Sequence, residues 1–201
     1  MREIWLVRHG MTAWARDHRH TGRTDVPLLP EGEQAARDLG PRLQRDWAAV
    51  MSSPLQRAWR TAELAGLTSY QVDDDLAEWN YGAIDGRTTE EVSAERGSPW
   101  NIWADGVESA GGESLADVGR RATRVIARAA AYLAREQDVA LVGHGHALRI
   151  LAATWLGLPP ASGALFALAP GSVSALGFEH GRHVLQRWNV RPGDVLGGPG
   201  E

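Results

Sequence analysis

Two short apolar, partly β-branched runs in this chain each deliver a glycine-flanked histidine. Ile4 to Val7 ends in Arg8-His9-Gly10, and Asp138 to Val142 ends in Gly143-His144-Gly145-His146. Apolar runs of this length read as strands buried on both faces, the habit of parallel sheets covered by helices. In such a sheet the residues just past the strand C-termini share one edge, where function tends to sit. Glycine beside each histidine lets backbone approach a ligand without a Cβ in the way, so Gly10 and Gly143 are expected to bring backbone groups to one anion. A lone His-Gly pair recurs by chance and reads as a loop histidine. The repetition, with Arg8 beside His9, gives the pattern its weight.

The rest of the chain fits the same architecture. Ala35, Leu39 and Leu43 recur every four residues after Pro30, predicting an amphipathic helix over 31–47 that is weakened at Gly40-Pro41. A strand follows at 48–51, and Ser52-Ser53-Pro54 reads as the capped start of a helix reaching Ala65. A brief strand at 70–72 leads into an irregular acidic and aromatic stretch over 73–86. Residues 97–112, rich in Gly, Ser and Trp, read as a loop or lid. Ser114 caps a long arginine-rich helix to about Arg135, with Leu115, Val118, Ala122, Val125, Ile126 and Ala129 as its apolar stripe. Residues 147–156 read as helical, and 172–178 with 183–190 as a closing hairpin. Alternating strands and helices predict an α/β fold, a three-layer α/β/α sandwich with a mainly parallel sheet. Residues 1–191 are expected to form a single domain, and 192–201 a flexible tail.

Composition removes several chemistries. There is no cysteine among the 201 residues, so disulfides, thiolate metal sites and cysteine nucleophiles are excluded. All 21 cationic residues are arginine, which excludes a P-loop lysine, a Schiff base and a lysine base. A net charge of −4 gives no basic field for nucleic acid, and a small anion bound locally by arginine fits better. No apolar stretch reaches membrane-spanning length and the first ten residues do not read as a signal peptide, so the expectation is a soluble cytoplasmic protein. A homodimer is left open.

Beyond these readings, the chain from Ile4 to about Trp188 resembles the histidine phosphatase superfamily, the phosphoglycerate mutase-like proteins, and within it the small acid-phosphatase-like branch. The resemblance rests on motifs that occur together and in order. They are Leu6-Val7-Arg8-His9-Gly10-Met11-Thr12, Gly22-Arg23 with Asp25 and Leu28, and Ser53-Pro54-Leu55-Gln56-Arg57-Ala58 with Thr61-Ala62. Leu76-Ala77-Glu78 follows with Tyr81-Gly82 and Asp85-Gly86, then Gly111-Gly112-Glu113-Ser114 and Val142-Gly143-His144-Gly145.

The resemblance implies hydrolysis of small phosphomonoesters through a phosphohistidine on His9, with no cofactor and no metal. An in-line displacement needs a nucleophile, positive charge on the equatorial oxygens and a proton donor for the leaving oxygen. By similarity His9 is the nucleophile, and Arg8 and Arg57 clamp phosphate oxygens, with Arg60, one turn on, as a rival for Arg57. His144 donates to the transferring group, adding positive charge if protonated, and Glu78 is the acid, kept partly protonated by burial. This pairing of His9 and Glu78 implies an acid-leaning bell-shaped pH profile. Thr12 and Arg23 align with substrate-binding positions, and Glu113 with one that lines or supports the pocket. His146 has no counterpart in the motif and reads as structural or as support for the site. At Ala15 relatives usually carry a polar residue, which removes one supporting hydrogen bond.

Three other readings stay open. A phosphoglycerate mutase-type transfer needs extra cations over the site, and between Glu78 and Glu113 only Arg87 and Arg96 qualify. A metallohydrolase would use His18, His20, His144, His146 and the aspartate run 73–75; that run reads otherwise as a solvated face. A protein that binds a phosphometabolite without turnover is the non-enzymatic reading. Trp14, Trp79, Trp100 and Trp103 fit equally as apolar pocket walls or as packing.

Overall fold

In the computed structural model, which describes residues 2–194, the two histidine-bearing runs are adjacent parallel strands. β1 (Ile4–Arg8) and β4 (Asp138–Gly143) lie in register with Arg8 opposite Gly143, so His9 and His144 leave the sheet side by side. Between them in sequence come α1 (Ala13–Arg16), α2 (Pro30–Leu39), β2 (Trp47–Ser52), α3 (Gln56–Leu64) and the two-residue β3 (Gln71–Val72). Next are α4 (Thr89–Arg96), α5 (Ile102–Asp105) and the long α6 (Leu115–Leu133). After β4, α7 (Gly145–Trp155) and the hairpin β5 (Val173–Glu179) and β6 (Arg182–Val190) complete the chain. The sheet order is β3-β2-β4-β1-β5-β6, with the first four strands parallel and β5 antiparallel to both neighbours. Helices cover both faces, giving the expected sandwich.

Strand alternation splits the core in two. Trp5 and Val7 pack with Leu39, Ala58, Ala62 and Val142 under α2 and α3. Ile4 and Leu6 pack with Val118, Val125, Leu141 and Leu148 under α6 and α7. The same alternation directs the residues that follow. Arg8 faces α7, where a Cβ on Gly145 would stand 3.0 Å from its guanidinium carbon, and the Gly10 N–H bonds to Thr61 on α3.

Several boundaries differ from expectation for identifiable reasons. α2 gives way at Gly40 to a single 3-10 turn through Leu43, so the helix stops short of 47. β2 runs through Ser52, and α3 begins only after Leu55, which makes Ser53 part of the strand edge. Residues 97–112 hold α5 and bury Trp100, Ile102 and Val107, so this segment is wedged into the core and is no free lid. Asp73 and Asp75 pair with Arg128 and Arg124 of α6, so the aspartate run is tethered to that helix. The expected tail falls mostly outside the described residues; of it, Asp194 closes a turn on Arg191. No helix among the described residues is long and apolar enough to cross a membrane.

Candidate active site

Past β1 the His9 ring is almost wholly buried, and its Nδ1 stands 2.7 Å from the Gly10 carbonyl. A carbonyl only accepts, so Nδ1 carries the hydrogen and Nε2 keeps a free lone pair. Burial, followed by the charges of Arg57 and Arg8, holds His9 well below the usual histidine range. A neutral ring with a bare nitrogen is the state a nucleophile requires.

His144 is fully buried beside it, the two ring centroids 5.1 Å apart. Its Nδ1 accepts from Nε of Arg57 at 3.1 Å, and its Nε2 lies 2.7 Å from the Ser53 hydroxyl. A guanidinium has no lone pair to offer, so the His144 hydrogen sits on Nε2 and points to Ser53. Burial, and then Arg57, keep this ring neutral as well. His144 therefore contributes a directed N–H and no third positive charge.

The arginines divide their duties. Arg57 is fully buried, donating also to the carbonyls of Thr24 at 2.8 Å, Thr21 at 3.1 Å and Gly22 at 2.8 Å. Four of its five N–H groups are thereby engaged, so the expected two-pronged clamp is reduced to one free donor and a full charge. The loop that supplies those carbonyls is fixed by Asp85, which accepts from Gly22 N and from Thr24 N and Oγ1. Arg8 donates Nη1 to the Leu168 carbonyl, while its buried Nε has no partner among the described residues. Burial pulls Arg8 down to about 10, still cationic at neutral pH. A charged guanidinium N–H without a protein acceptor has the chemistry to bind an anion. Arg60, the rival, is half-exposed and paired with Glu33 and Glu63.

Glu78 faces this group from the irregular segment before Tyr81 and is 4% exposed. Its Oε1 accepts from the N–H groups of Trp79 and Ala147, both at 2.9 Å, and its Oε2 from His146 N at 3.1 Å. It thus closes the N-terminus of α7. Arg121 of α6 holds the segment in place, donating to the carbonyls of Asp75, Ala77 and Glu78 and in paired fashion to Glu113. Sequence reasoning missed Arg121. Its position, three residues after Val118 and four before Val125, put it on the buried stripe and was the available signal.

Four expected contacts are not on the cavity wall: Arg57 and His144 lie fully buried behind it, and Thr12 and Arg23 serve elsewhere. Thr12 is fully buried and caps α1 by accepting from Ala15 N at 3.1 Å, and it does not line the cavity. Arg23 points to solvent, away from the cavity; its neighbours Gly22 and Thr24 act instead, through their backbone. Gly10 and Gly143 also depart from expectation. A Cβ on Gly10 would overlap the Gly32 carbonyl, and the Gly143 carbonyl receives His9 N, so both serve packing and pairing.

The histidine edge opens into a cavity of about 400 Å³, with Arg8, His9, Glu78, Tyr81, His146 and Arg149 on its inner wall and His18, Arg19, His20 and Thr89 further out. Arg149 lies over the Trp103 ring at 4.6 Å and is tied through Nε and Nη2 to the carbonyls of Gly163 and Ala164. Trp79 and Trp100 pack behind the lining and Trp14 against Gly86, so the wall is polar rather than the apolar aromatic surface that the tryptophans allowed. Among the described residues no group of three or more histidine, aspartate or glutamate side chains is placed to hold a metal ion. Among the described residues His144 has both ring nitrogens engaged and His146 has one on Tyr81, so these two histidines offer one free nitrogen between them.

Comparison with known proteins identifies a family. The model of the histidine phosphatase superfamily (branch 1) matches residues 4–191. An acid phosphatase of Mycobacterium tuberculosis is 41% identical over 182 residues, covering 89% of this chain and 87% of its own length. A sedoheptulose 1,7-bisphosphatase of Saccharomyces cerevisiae is 37% identical over 183 residues, covering 76% of this chain and 67% of its own. The solved structure of an open reading frame product of Mycobacterium tuberculosis superposes with a TM-score of 0.89 at 38% identity, covering 95% of this chain and 98% of that one.

Proposed function

The chain belongs to the histidine phosphatase superfamily, branch 1, and from that membership we propose that it hydrolyses small phosphomonoesters, without a metal, through a phosphohistidine on His9. The observation that carries the assignment of His9 is its bare Nε2, fixed by the Gly10 carbonyl, beside the unpartnered Nε of Arg8.

The reaction balances as two in-line transfers. The Nε2 lone pair forms an N–P bond as the ester P–O bond breaks, and the leaving oxygen takes the proton of the Glu78 carboxyl. In this reading Arg8 Nε and the free N–H of Arg57 donate to the equatorial oxygens as charge spreads on them, and the His144 N–H joins them by exchanging Ser53 for the phosphoryl group. In the second half the Glu78 carboxylate takes a proton from water, whose oxygen attacks phosphorus, and the N–P bond breaks to release phosphate and restore His9.

Transfer back to a second substrate, as in a mutase, would have to draw its extra cations from Arg19 and Arg149, which line the cavity. Arg87 and Arg96 are held by Glu95 and Asp105, outside the cavity. The reading calls for a small phosphorylated metabolite met in the cytoplasm.

The test is hydrolysis of p-nitrophenyl phosphate in excess chelator by wild type and His9→Ala, with trapping of labelled protein. Turnover with acid-labile phosphate in wild type and neither in the variant is the expected result. Activity lost in chelator and restored by a divalent metal would overturn it, as would phosphate binding without turnover.

A further inference from the structure

His146 is the one histidine of the two edge motifs that the reaction above leaves without a role, yet it lines the cavity beside Glu78, the proposed acid. Its backbone N–H holds Glu78, and its ring does something separate. Nδ1 stands 2.6 Å from the Tyr81 hydroxyl. Burial, and then the charge of Glu78, push the Tyr81 phenol well above its ordinary range, so it keeps its hydrogen. It has no other hydrogen-bond partner among the described residues and therefore donates to Nδ1. The His146 ring is itself held neutral, by burial first and by Arg149 next. One hydrogen remains, and it is on Nε2.

Nε2 has no protein acceptor among the described residues and is not sealed off from the cavity. The ring cannot easily turn away. It is packed at 5.0 Å from Trp103 and 6.1 Å from Trp79, and Tyr81 itself is fully buried. A neutral donor in one fixed tautomer, on the helix turn that Glu78 caps, is placed to meet an acceptor on the alcohol that leaves.

We propose that His146 is a specificity-determining residue whose Nε2–H, locked by Tyr81 as its positioning residue, donates to an oxygen of the leaving alcohol. The preferred substrates are then phosphate esters of oxygen-bearing aliphatic alcohols, of sugar or glycerol type, over plain alkyl or aryl esters. This rests on the phosphatase reading above and sharpens its substrate class. The polar wall of the cavity points the same way. A site built to hydrogen-bond a substrate oxygen discriminates against the analogue that lacks it.

Glycerol 3-phosphate and propyl phosphate share a three-carbon frame and differ in the hydroxyls, so the ratio of their kcat/KM values reads the proposed contact. Wild type is expected to favour glycerol 3-phosphate by about tenfold or more, the worth of one hydrogen bond. In His146→Leu the ratio should collapse toward unity, mainly through KM. His146→Gln, which keeps a donor, should restore part of it, and Tyr81→Phe should lose part of it. A wild-type ratio near unity would overturn the proposal, as would a ratio that survives His146→Leu while both substrates fall together. If wild type hydrolyses neither ester nor p-nitrophenyl phosphate, the phosphatase reading itself fails and the proposal goes with it. Turnover of all three with no discrimination sinks the proposal alone.

Discussion

The Nε–H of Arg57 donates to Nδ1 of His144 across 3.1 Å, and this single bond decides that the second histidine carries its hydrogen on Nε2, toward Ser53. Lysine at 57 would keep a charge but not the geometry, because an ammonium cannot reach His144 and three loop carbonyls together. Arg57→Lys is expected to lower kcat on p-nitrophenyl phosphate by about 10²-fold or more. Asp85→Ala, which frees the loop that Arg57 grips, should give a smaller loss in the same direction, and Asp85→Asn less still. Steady-state kinetics on the three variants checks the ordering.

Arg121 acts at one remove. It touches nothing that reacts, but three of its hydrogen bonds hold the backbone on which Glu78 stands and two pair it with the Glu113 carboxylate. Removing it strands three buried carbonyls and a carboxylate, so Arg121→Met should cost about 3–5 kcal/mol of stability by denaturant melt. Where the variant still folds, kcat should fall far more than the affinity for vanadate or phosphate. A loss confined to phosphate affinity would instead place Arg121 against the substrate.

The nucleophile strands were legible because each is an apolar run closed by glycine, and register in a parallel sheet then makes His9 and His144 neighbours without further assumption. Glu78 and Arg57 were reachable only through the resemblance, since nothing local marks one glutamate among several acids or one arginine among 21. What stayed hidden depends on backbone groups. Arg57 is engaged by carbonyls of residues 21, 22 and 24, and Glu78 by N–H groups of 146 and 147, none of which has a side-chain signature. Arg23 drew attention because its side chain is charged, while the work at that loop falls to its neighbours' peptide groups. Ser53 read as a helix cap for want of knowing that His144 would reach it.

Gly10 and Gly32 meet backbone to backbone, and this contact sets how closely the His9 loop lies on α2. Alanine at either position would drive a Cβ into a carbonyl, and neither neighbour is a flexible side chain that can swing away. Gly10→Ala is expected to lose about 1–3 kcal/mol in stability. It should also lose activity out of proportion, because the Gly10 carbonyl fixes the His9 tautomer. A variant as active as wild type but less stable would mean that the carbonyl keeps its place by another route.

Buried His9 and His144 and half-buried His146 all have their pKa values held well below 6.5, desolvation being the largest cause. In the unfolded chain they take protons near pH 6.5, while in the folded protein they refuse them. The unfolded state therefore binds more protons below 6.5, and stability must fall as pH drops from 7 toward 5. The slope is at most about 1.4 kcal/mol per pH unit for each histidine. Activity has the opposite tendency over the same window, since His9 stays neutral and nucleophilic where an exposed histidine would already be protonated. The kcat/KM profile should thus hold up on its acid side while the melting temperature declines, a split that an exposed nucleophile would not produce. His146→Leu removes one of the three proton sinks and should flatten the slope of melting temperature against pH. An unchanged slope in that variant would show that His146 takes its proton in the folded state.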